Sequence, residues 1–355
     1  MMKVLIDGYY ICKPRGLGRY VRELLYIYNK YKNDNVDIFV AIRNKDKEYF
    51  LNTYQNLNPV ILKDLPFPIW EQLLLPRSFK SGGYDVLHCP YNTFPILYGQ
   101  IYNRLIVTIH DLIFFKKLGD SLYQITGNMY RRFVLHFIRD NVRVITVSNA
   151  SKKELMNILR RRSNVIMESN ELIKKQRDSI KDLKHYDKKY LFHIGGINET
   201  KNTDRVIKAF LNAKLDDYYL VISGLPKCNI YSKQYDNNSI IYTGWVSDEK
   251  MAEYYMNADA IIFPSLREGF GLPIQEGLTF NKPVLTSKLE PMTEVAGEAA
   301  IFVDPFSIDS ITKGIKEILL ENVRCDLYKN INKQLKKFDG RYICEKYMTV
   351  YESVK

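Results

Sequence analysis

The stretch "AIIFPSLREGFGLPIQEGL", residues 260–278, joins an apolar segment to a helical pattern through a loop rich in glycine. The apolar residues 260–265 do not alternate with polar ones, which predicts a strand buried on both faces. In the loop, Gly269 and Gly271 allow the backbone to turn sharply. Pro273 suits the first position of the helix that follows. A buried strand leading through a short loop into a helix is the repeating unit of a parallel α/β sheet.

The same unit recurs along the whole chain. Apolar segments of strand length alternate with longer amphipathic segments, such as residues 18–31. Val21, Leu24 and Tyr28 of that segment share one helical face. Alternating strands and helices predict parallel sheets with right-handed crossovers. The predicted strands are 3–6, 36–42, 59–62, 85–88, 105–110, 143–148, 190–194, 218–223, 240–244, 260–265, 283–287 and 299–304.

The length of the chain predicts two domains. Its 355 residues exceed the size at which one hydrophobic core usually stops growing. We therefore expect two Rossmann-like, doubly wound parallel-sheet domains that face each other across a cleft. Residues 1–168 form the first domain and residues 169–339 hold the second, and the charged stretch at about 160–189 is predicted to link them. The amphipathic segment 340–355 is expected to pack back on the first domain. Ligands of such sheets bind beyond the carboxyl ends of the strands.

Composition and charge narrow the class of partner. Apolar residues make up 46% of the chain and charged residues 26%, as in ordinary globular proteins. The net charge of +12 favours anionic partners, with a lysine-rich solvated surface as the equal alternative. Five scattered cysteines without a CxxC pair indicate a reducing cytoplasm and no zinc site. No uncharged run approaches the roughly 20 residues that span a bilayer, so any membrane contact is expected to be peripheral.

Two glutamates, Glu268 and Glu276, bracket the glycine loop. Carboxylates accept hydrogen bonds from hydroxyl groups, and the N–H groups at a helix start bind phosphate. The loop therefore predicts, in order, sites for sugar hydroxyls, for a diphosphate and for ribose hydroxyls, which together describe a nucleotide sugar. In the alternative interpretation, Glu276 is only an acid in the first turn of the helix, and Glu268 is a solvated loop residue.

Several segments resemble the retaining glycosyltransferases of family 4, which have the GT-B fold. "EGFGLPIQE" resembles the E-x7-E signature of that family. The chain looks most similar to the mannosyltransferase-like members that build bacterial surface polysaccharides. Further similar segments follow in the family's order along most of the chain: "RGLGRYVREL", "VTIHDL", "ITVSNASKKEL" and "KPVLTSKLEPMTEVAGEAAIFVDP".

The resemblance implies an enzyme that moves a hexose onto a glycan or lipid-linked saccharide acceptor during the synthesis of a surface polysaccharide such as O-antigen. GDP-mannose is the first donor expected, and a UDP-sugar is the alternative. The first domain would bind the acceptor. The protein would be cytoplasmic, with peripheral contact to the inner face of the plasma membrane as a further expectation.

The same resemblance assigns roles to the glycine loop between Glu268 and Glu276. Glu268 would contact the hydroxyls of the donor sugar during catalysis. Glu276 would contact the ribose hydroxyls. The backbone N–H groups of Phe270, Gly271 and Leu272 would meet the sugar and the diphosphate.

Lysine and glycine positions elsewhere complete the implied diphosphate site. Lys201, near the start of a helix, would neutralise the diphosphate as its bond to the sugar breaks. The family often has an arginine beside this lysine, whereas Thr200 stands here, and Arg205 one turn later is the expected substitute. Gly16 and Gly18 would bring the N-terminal loop against the diphosphate, although a plain strand–helix turn is the simpler explanation on sequence alone.

Residues at other predicted strand ends are also implied. His110 would lie beside the donor sugar, where its imidazole or backbone carbonyl contacts the reacting centre. Asp111 would orient the loop of His110. Backbone groups of Val246 would meet the base, while Trp245 is interpreted as packing. Glu294 is interpreted as a loop organiser.

The absence of a D-x-D pair from the sequence predicts the electrostatics of the reaction. Such pairs hold a divalent metal on the diphosphate in transferases of the other common fold. We therefore predict a metal-independent reaction without a cofactor, in which a helix dipole, backbone N–H groups and Lys201 stabilise the leaving diphosphate. As the resemblance implies, the acceptor hydroxyl attacks the face from which the nucleotide departs, so the anomeric configuration is retained.

The segment "MYRRFVLHFIRD", residues 129–140, mixes arginines with apolar residues. We predict a core helix with basic flanks, and docking to an anionic membrane is the alternative.

Three other function classes fit the sequence less well. A GT-B-fold sugar-nucleotide epimerase would lack an acceptor site, and the glutamate-bracketed loop argues against it. A nucleic-acid binder should show a concentrated basic stripe or a recognition module, and the sequence indicates neither, so nucleic acid is not an expected partner. A nicotinamide oxidoreductase needs a G-x-G-x-x-G fingerprint directly after a strand, which is absent.

Overall fold

The structure divides into two compact units. The first comprises Met1–Glu171 and Asp339–Lys355, and the second comprises Leu172–Phe338. The boundaries predicted from the sequence, 168/169 and 339/340, differ from these by three residues and by one residue. The structure is a computed structural model that describes residues 1–13, 16–31, 33–116, 119, 121–180, 186–235 and 237–354.

The first unit is built on a seven-stranded parallel sheet in the order β3-β2-β1-β4-β5-β6-β7. The predicted parallel arrangement is therefore confirmed, but the two-residue strand β7 lies in a charged stretch without an apolar pattern and was not predicted. β3 forms an edge and is partly exposed, so the prediction that it is covered on both faces was wrong. The strands are β1 (Met2–Asp7), β2 (Val36–Arg43), β3 (Asn58–Leu62), β4 (Val86–Cys89), β5 (Leu105–Ile109), β6 (Arg143–Thr146) and β7 (Asn164–Val165).

Helices return the chain between these strands. In α1, Val21, Leu24 and Tyr28 are buried, which confirms the predicted helical face. A π-helical turn, Trp70–Leu74, joins α3 to α4. The helices of this part are α1 (Leu17–Lys30), α2 (Lys47–Thr53), α3 (Phe67–Ile69), α4 (Leu75–Ser81), α5 (Leu122–Leu135) and α6 (Asn149–Leu159).

The second unit repeats the arrangement with a six-stranded parallel sheet in the order β10-β9-β8-β11-β12-β13. Each strand predicted in this half is present, because buried parallel strands leave continuous apolar runs in the sequence. The strands are β8 (Lys189–Ile194), β9 (Tyr218–Ser223), β10 (Ile240–Gly244), β11 (Ala260–Phe263), β12 (Val284–Ser287) and β13 (Ala300–Val303).

The helices of the second unit begin in the region predicted as a linker. That region, residues 160–189, holds β7 and α7, while residues 181–185 lie outside the described residues. The hydroxyl of Ser247 accepts a hydrogen bond from the backbone N–H of Lys250 and so caps the start of α10. The helices are α7 (Glu171–Ser179), α8 (Thr203–Ala213), α9 (Ile230–Gln234), α10 (Asp248–Asn257), α11 (Leu272–Thr279), α12 (Met292–Ala296), α13 (Ile308–Glu317) and α14 (Glu321–Leu335).

The last helix, α15 (Gly340–Glu352), belongs to the first unit and packs beside α1. Its tyrosines reach polar groups inside that unit. The hydroxyl of Tyr351 lies 2.7 Å from the hydroxyl of Tyr28 and 2.8 Å from Nδ1 of His88, and Tyr347 is hydrogen-bonded to Tyr20. The described part of the chain contains no helix that is both long and apolar enough to cross a bilayer.

Candidate functional site

The loop after β11 is shaped by a single glycine. Gly271 is the N-cap of α11 and has a φ of 112°, a left-handed conformation that favours glycine. Gly269 has no positive φ, so the sharp turn predicted for both glycines needs only one of them. Since α11 begins at Leu272, Pro273 occupies the second helical position. The prediction that it occupies the first position was wrong by one residue.

Lys201 and Glu268, predicted from separate motifs, meet in the second unit. The Nζ atom of Lys201 lies 2.8 Å from Oε1 of Glu268, and the side chains are 28% and 17% exposed. The Ser265 hydroxyl lies 2.7 Å from the same oxygen. Strands β8 and β11 are neighbours, so the loops that follow them emerge side by side at the carboxyl edge of the sheet. Glu268 is therefore a fixed, half-buried carboxylate, and the interpretation as a solvated loop residue was wrong.

Asn202 holds this arrangement together and was missed in the sequence. It is buried, caps the start of α8 with a φ of 58°, and its Nδ2 donates to the carbonyl oxygens of Pro264 and Pro305 at 3.0 and 2.7 Å. Those carbonyls belong to the loops after β11 and β13. The Thr200 carbonyl accepts from the Leu266 N–H at 2.8 Å, so the loops after β8 and β11 are also joined directly.

Arg205, the expected substitute for a second basic residue, lies on the first turn of α8. Its Nη1 donates to Oδ1 of Asn202 at 2.9 Å, and its guanidinium carbon lies 5.9 Å from the ring centre of Phe306. The guanidinium is thus oriented by the residue that clamps the loops. It stands beside the Lys201 segment on the same carboxyl edge of the sheet.

A buried histidine joins strands β8 and β11. His193 is the penultimate residue of β8, and its Nδ1 donates a hydrogen bond to the Ile262 carbonyl of β11 at 2.8 Å. Its Nε2 lies 3.2 Å from the hydroxyl of Thr203. Burial lowers the pKa of His193 to about 4, so the ring is neutral at physiological pH. No role was predicted for His193, since a histidine inside an apolar run belongs to no motif.

Glu276 and Phe270 lie deeper than the predicted roles suggest. Glu276 is buried on α11. Since α11 starts at Leu272, Glu276 lies in the second turn, and its predicted place in the first turn was wrong. Phe270 is also buried, with its ring edge-on to Phe338 at 6.0 Å between centroids. Its side chain therefore packs in the second unit, and only its backbone is suited to a ligand contact.

Gly16 and Gly18 lie at the start of α1 in the first unit. Gly16 is the N-cap with a φ of 58°, and a Cβ there would meet nothing within 4 Å. A Cβ on Gly18 would lie 2.1 Å from the Lys13 carbonyl oxygen and 2.5 Å from that of Tyr10. Close packing of α1 on the preceding turn is therefore sufficient to require glycine at position 18.

His110 follows β5 in the first unit and is buried among hydrogen-bonding partners. Its Nε2 lies 2.9 Å from the Pro90 carbonyl, which only accepts, so Nε2 carries a proton. Its backbone N–H donates to Oδ1 of Asn92 at 2.7 Å, and its carbonyl accepts from the Ser151 hydroxyl at 2.6 Å. Its Nδ1 lies 3.9 Å from a carboxylate oxygen of Glu168. The imidazole and the carbonyl are thus both positioned by their own unit.

The remaining predicted residues lie in three separate loops or helices. Oδ1 of Asp111 accepts from the Ile113 N–H at 3.0 Å, in keeping with a role in shaping that loop. Trp245 is 71% exposed, so its interpretation as packing was wrong. Val246 follows it, half-buried, in the loop after β10, and Glu294 is half-buried on α12. Within each unit, only the Lys201–Glu268 pair brings two predicted catalytic side chains into contact.

Comparison with protein families matches almost the whole chain. Residues 14–166 match the family described as Glycosyltransferase Family 4. Residues 174–338 match the family described as Glycosyl transferases group 1. Each match falls within one of the two structural units.

Individual glycosyltransferases are also similar to this chain, at low sequence identity. The O-antigen chain mannosyltransferase B of Escherichia coli is 25% identical over 238 residues, and the match covers 62% of each chain. The O-antigen chain mannosyltransferase RfbU of Salmonella typhimurium is 27% identical over 264 residues, or 69% of this chain and 68% of the relative. A sucrose-phosphate synthase from Thermosynechococcus elongatus has a TM-score of 0.72 at 17% identity, with 100% of this chain and 99% of that chain covered, which shows a shared fold.

Proposed function

Because the chain belongs to the family 4 glycosyltransferases and has the GT-B fold, we propose that it transfers a hexose from a nucleotide sugar to a saccharide with retention of the anomeric configuration. The donor is GDP-mannose, with a UDP-sugar as the alternative. The acceptor is a glycan or a lipid-linked saccharide of a surface polysaccharide, met at the membrane surface. The two O-antigen chain mannosyltransferases among the relatives support mannose and this class of acceptor.

The contact between Lys201 and Glu268 is the observation that carries the proposal. A carboxylate that accepts hydrogen bonds from sugar hydroxyls and an ammonium that meets a diphosphate must stand within one hexose of each other, and these two groups touch. The pair lies at the carboxyl edge of the sheet, where ligands of such folds bind. The N-terminus of α11, reached through Gly271, adds backbone N–H groups and a positive dipole end for phosphate.

The chemistry needs no covalent nucleophile from the protein. The bond from the anomeric carbon to the phosphate oxygen breaks as the acceptor oxygen bonds to the same carbon on the same face. The acceptor proton passes to the leaving phosphate oxygen, so charge and protons balance. Lys201 and the α11 N-terminus stabilise the charge that develops on the diphosphate, and no metal ion is required. Glu268 orients the hexose through its hydroxyls.

Thermal unfolding with a panel of nucleotide sugars tests the donor. A donor that binds the folded protein raises its unfolding midpoint, and GDP-mannose is expected to do so at concentrations where mannose and GMP do not. Transfer to a lipid-linked saccharide, followed by NMR of the product in buffer with EDTA, then tests the reaction. An inverted linkage, or activity lost with EDTA and restored by Mg²⁺, contradicts the mechanism.

The alternative function is that of a sugar-nucleotide epimerase with the same fold. It would convert the donor alone into a second nucleotide sugar, without an acceptor. NMR of GDP-mannose or UDP-sugars incubated with the protein separates the two functions, and a new nucleotide sugar in that sample would favour the epimerase.

A further inference from the structure

Helix α5 exposes an apolar stripe to solvent. Leu122, Met129, Phe133 and Phe137 are each between 44% and 76% exposed. The spacings of seven and four residues place Leu122, Met129 and Phe133 on one face of α5, and Phe137 follows in the turn after the helix, which ends at Leu135. The rings of Phe133 and Phe137 touch, with centroids 5.1 Å apart. The prediction that residues 129–140 form a core helix was therefore only half right.

The opposite side of the same segment anchors it to the first unit. Val134, Leu135 and Ile138 are buried. The stripe is therefore not the core-facing side of the helix, and no described residue covers it. Large apolar side chains aligned on a surface mark a contact site with another phase or molecule.

A basic groove lies where this segment ends. The cationic residues of the groove are spread over more than twenty positions of the sequence, so no concentrated basic surface was predicted. The fold gathers six cationic side chains and one carboxylate around a cavity of about 1060 Å³. The groove is lined by Arg139, Asp140, Val142, Arg143, Val144, Lys152, Met156, Arg160, Arg161, Arg162, Ser163, Asn164 and Ser353.

Most of the positive charge in the groove faces solvent. Arg161 is fixed, since it pairs with Asp140 at 2.7 Å and donates to the Ile138 carbonyl at 3.1 and 3.0 Å. Arg160, Arg162 and Lys152 are exposed, and no ion pair is recorded for them among the described residues. So much uncompensated charge attracts anions.

The stripe and the groove adjoin each other along the chain. Arg161 binds the carbonyl of Ile138, the residue directly after Phe137, and Arg139 lines the groove one position further on. The 14-residue helix extends the surface by about 21 Å away from the groove. Apolar side chains flanked by arginine and lysine are the composition of a surface that lies in the interface of an anionic bilayer.

We propose that the α5 stripe and the basic groove dock the protein on a membrane of anionic phospholipids. The stripe enters the boundary between headgroups and acyl chains, and the groove binds lipid phosphates. A soluble polyanion would account for the groove but leaves the stripe without a function. Docking does not depend on the enzyme's activity. Its benefit, which rests on the proposed function, is that a lipid-linked acceptor then lies beside the unit that is expected to bind it.

Vesicle sedimentation tests the docking surface directly. The full chain is mixed with phosphatidylcholine vesicles that contain either no phosphatidylglycerol or about one third of it. We expect binding only to the anionic vesicles, with a loss of at least tenfold in the partition coefficient as salt rises from low to about 0.5 M.

Two triple variants separate the parts of the surface. Met129→Ser with Phe133→Ser and Phe137→Ser removes the stripe, and Lys152→Gln with Arg160→Gln and Arg162→Gln removes exposed charge. Each is expected to weaken partitioning, the second by about a hundredfold. The matched controls lie on other surfaces: Leu97→Ser with Ile230→Ser and Leu320→Ser, and Lys313→Gln with Lys316→Gln and Lys336→Gln. Both controls should bind as the unmodified protein does.

Several results overturn the proposal. Equal binding to both kinds of vesicle removes the electrostatic part, and equal losses in the control variants make the effect non-specific. Binding of a single-stranded oligonucleotide as tightly as anionic vesicles would identify a nucleic-acid groove. A dimer in solution that the serine variant alone dissociates would identify the stripe as an interface between copies. Far-UV circular dichroism confirms folding of each variant, and the charge variant decides the test if the serine variant unfolds.

Discussion

Among single residues, the ion pair between Lys201 and Glu268 is the feature on which the proposed donor site rests. Each side chain is partly shielded from water, so solvent and salt screen the attraction between the two charges less than on the open surface. The Ser265 hydroxyl fixes the carboxylate at 2.7 Å. The pair therefore keeps its geometry before the substrate arrives, as a preorganised site requires.

Replacing Glu268 with glutamine tests its role in transfer. Glutamine keeps the shape and one acceptor oxygen for Ser265 but loses the charge that orients sugar hydroxyls. We expect kcat/KM for transfer to fall by about a hundredfold, with the unfolding midpoint changed by at most a few degrees. Steady-state transfer assays and thermal scans measure the two quantities. The exposed Glu298, changed to glutamine, is the control, and near-normal transfer by Glu268→Gln would remove this residue from the mechanism.

A second residue-scale feature is a pair of buried carboxyl groups in the first unit. Burial raises the pKa of Asp7 and that of Glu71 to about 7. Oδ1 of Asp7 accepts from the Tyr9 N–H and from Nε1 of Trp70, both at 3.0 Å, while Oδ2 has no recorded partner. The folded protein thus holds protons that the unfolded chain releases near pH 4.

This pair makes stability depend on pH in a definite direction. The two protonated carboxyl groups stabilise the fold fully below about pH 4, and this contribution is lost as the pH rises through 7. Between these values the carboxyl groups ionise in the unfolded chain but stay protonated in the folded one. Asp7→Asn keeps the acceptor oxygen and removes the ionisable group. Its unfolding midpoint should exceed that of the unmodified protein by several degrees at about pH 8, and by little at about pH 4. Thermal scans across this range measure the difference.

The exposed Asp217→Asn is the matched control for the pH series. A constant offset between Asp7→Asn and the unmodified protein at every pH would show that Asp7 does not carry the titration.

The site residues that could be predicted from the sequence were those that belong to a motif. Glu268 and Lys201 were found because a spaced signature marks them. Asn202 and His193 were missed because their roles rest on neighbours distant in sequence: two loop carbonyls for Asn202 and the Ile262 carbonyl for His193. An isolated polar residue offers no sign of such partners.

At the scale of elements, the strands were predictable and the exposed faces were not. Parallel strands covered on both sides are continuous apolar runs, so each long strand was found. Strand β7 has two residues and no such run. In α5, apolar residues on both sides of the helix looked like core, because a sequence does not state which face another element will cover.

The start of α1 gives an element-scale prediction. Gly18→Ala would place a Cβ 2.1 Å from a backbone oxygen, so the helix must shift, and we expect a loss of about 3 kcal/mol. Gly16→Ala meets open space, and only its backbone angles of φ 58° and ψ −124° oppose the change, at a cost of about 1–2 kcal/mol. Denaturant unfolding measures both. Equal stability of the two variants would refute the packing explanation and return Gly18 to a ligand role.

At the scale of the whole molecule, the last residues of the chain complete the first unit. Tyr347 and Tyr351 of α15 are fully buried there, although more than 300 residues separate them from their partners Tyr20 and Tyr28. His88, whose pKa burial lowers to about 3, also relies on the hydroxyl of Tyr351. The folding of this unit therefore depends on the end of the chain.

Truncation after Phe338 should unfold the first unit selectively. Removing α15 leaves buried polar groups of His88 and Tyr28 without partners and uncovers apolar surface. Limited proteolysis with mass spectrometry is expected to cut many sites within Met1–Glu171 and few within Leu172–Phe338. A chain ending at Glu352 is the control. Protection of both units in the truncated chain would contradict this dependence.

The Lys201–Glu268 contact has a further consequence for turnover. Once the hexose has left, the nucleotide no longer offers hydroxyls to Glu268, and the carboxylate regains the ammonium at 2.8 Å. Under the proposed function, Glu268 therefore competes with the spent nucleotide for Lys201, and we expect this competition to shorten the residence of the product. Glu268→Gln should bind GDP more tightly than the unmodified protein does, and calorimetric titration showing weaker binding would rule out this self-clearing behaviour.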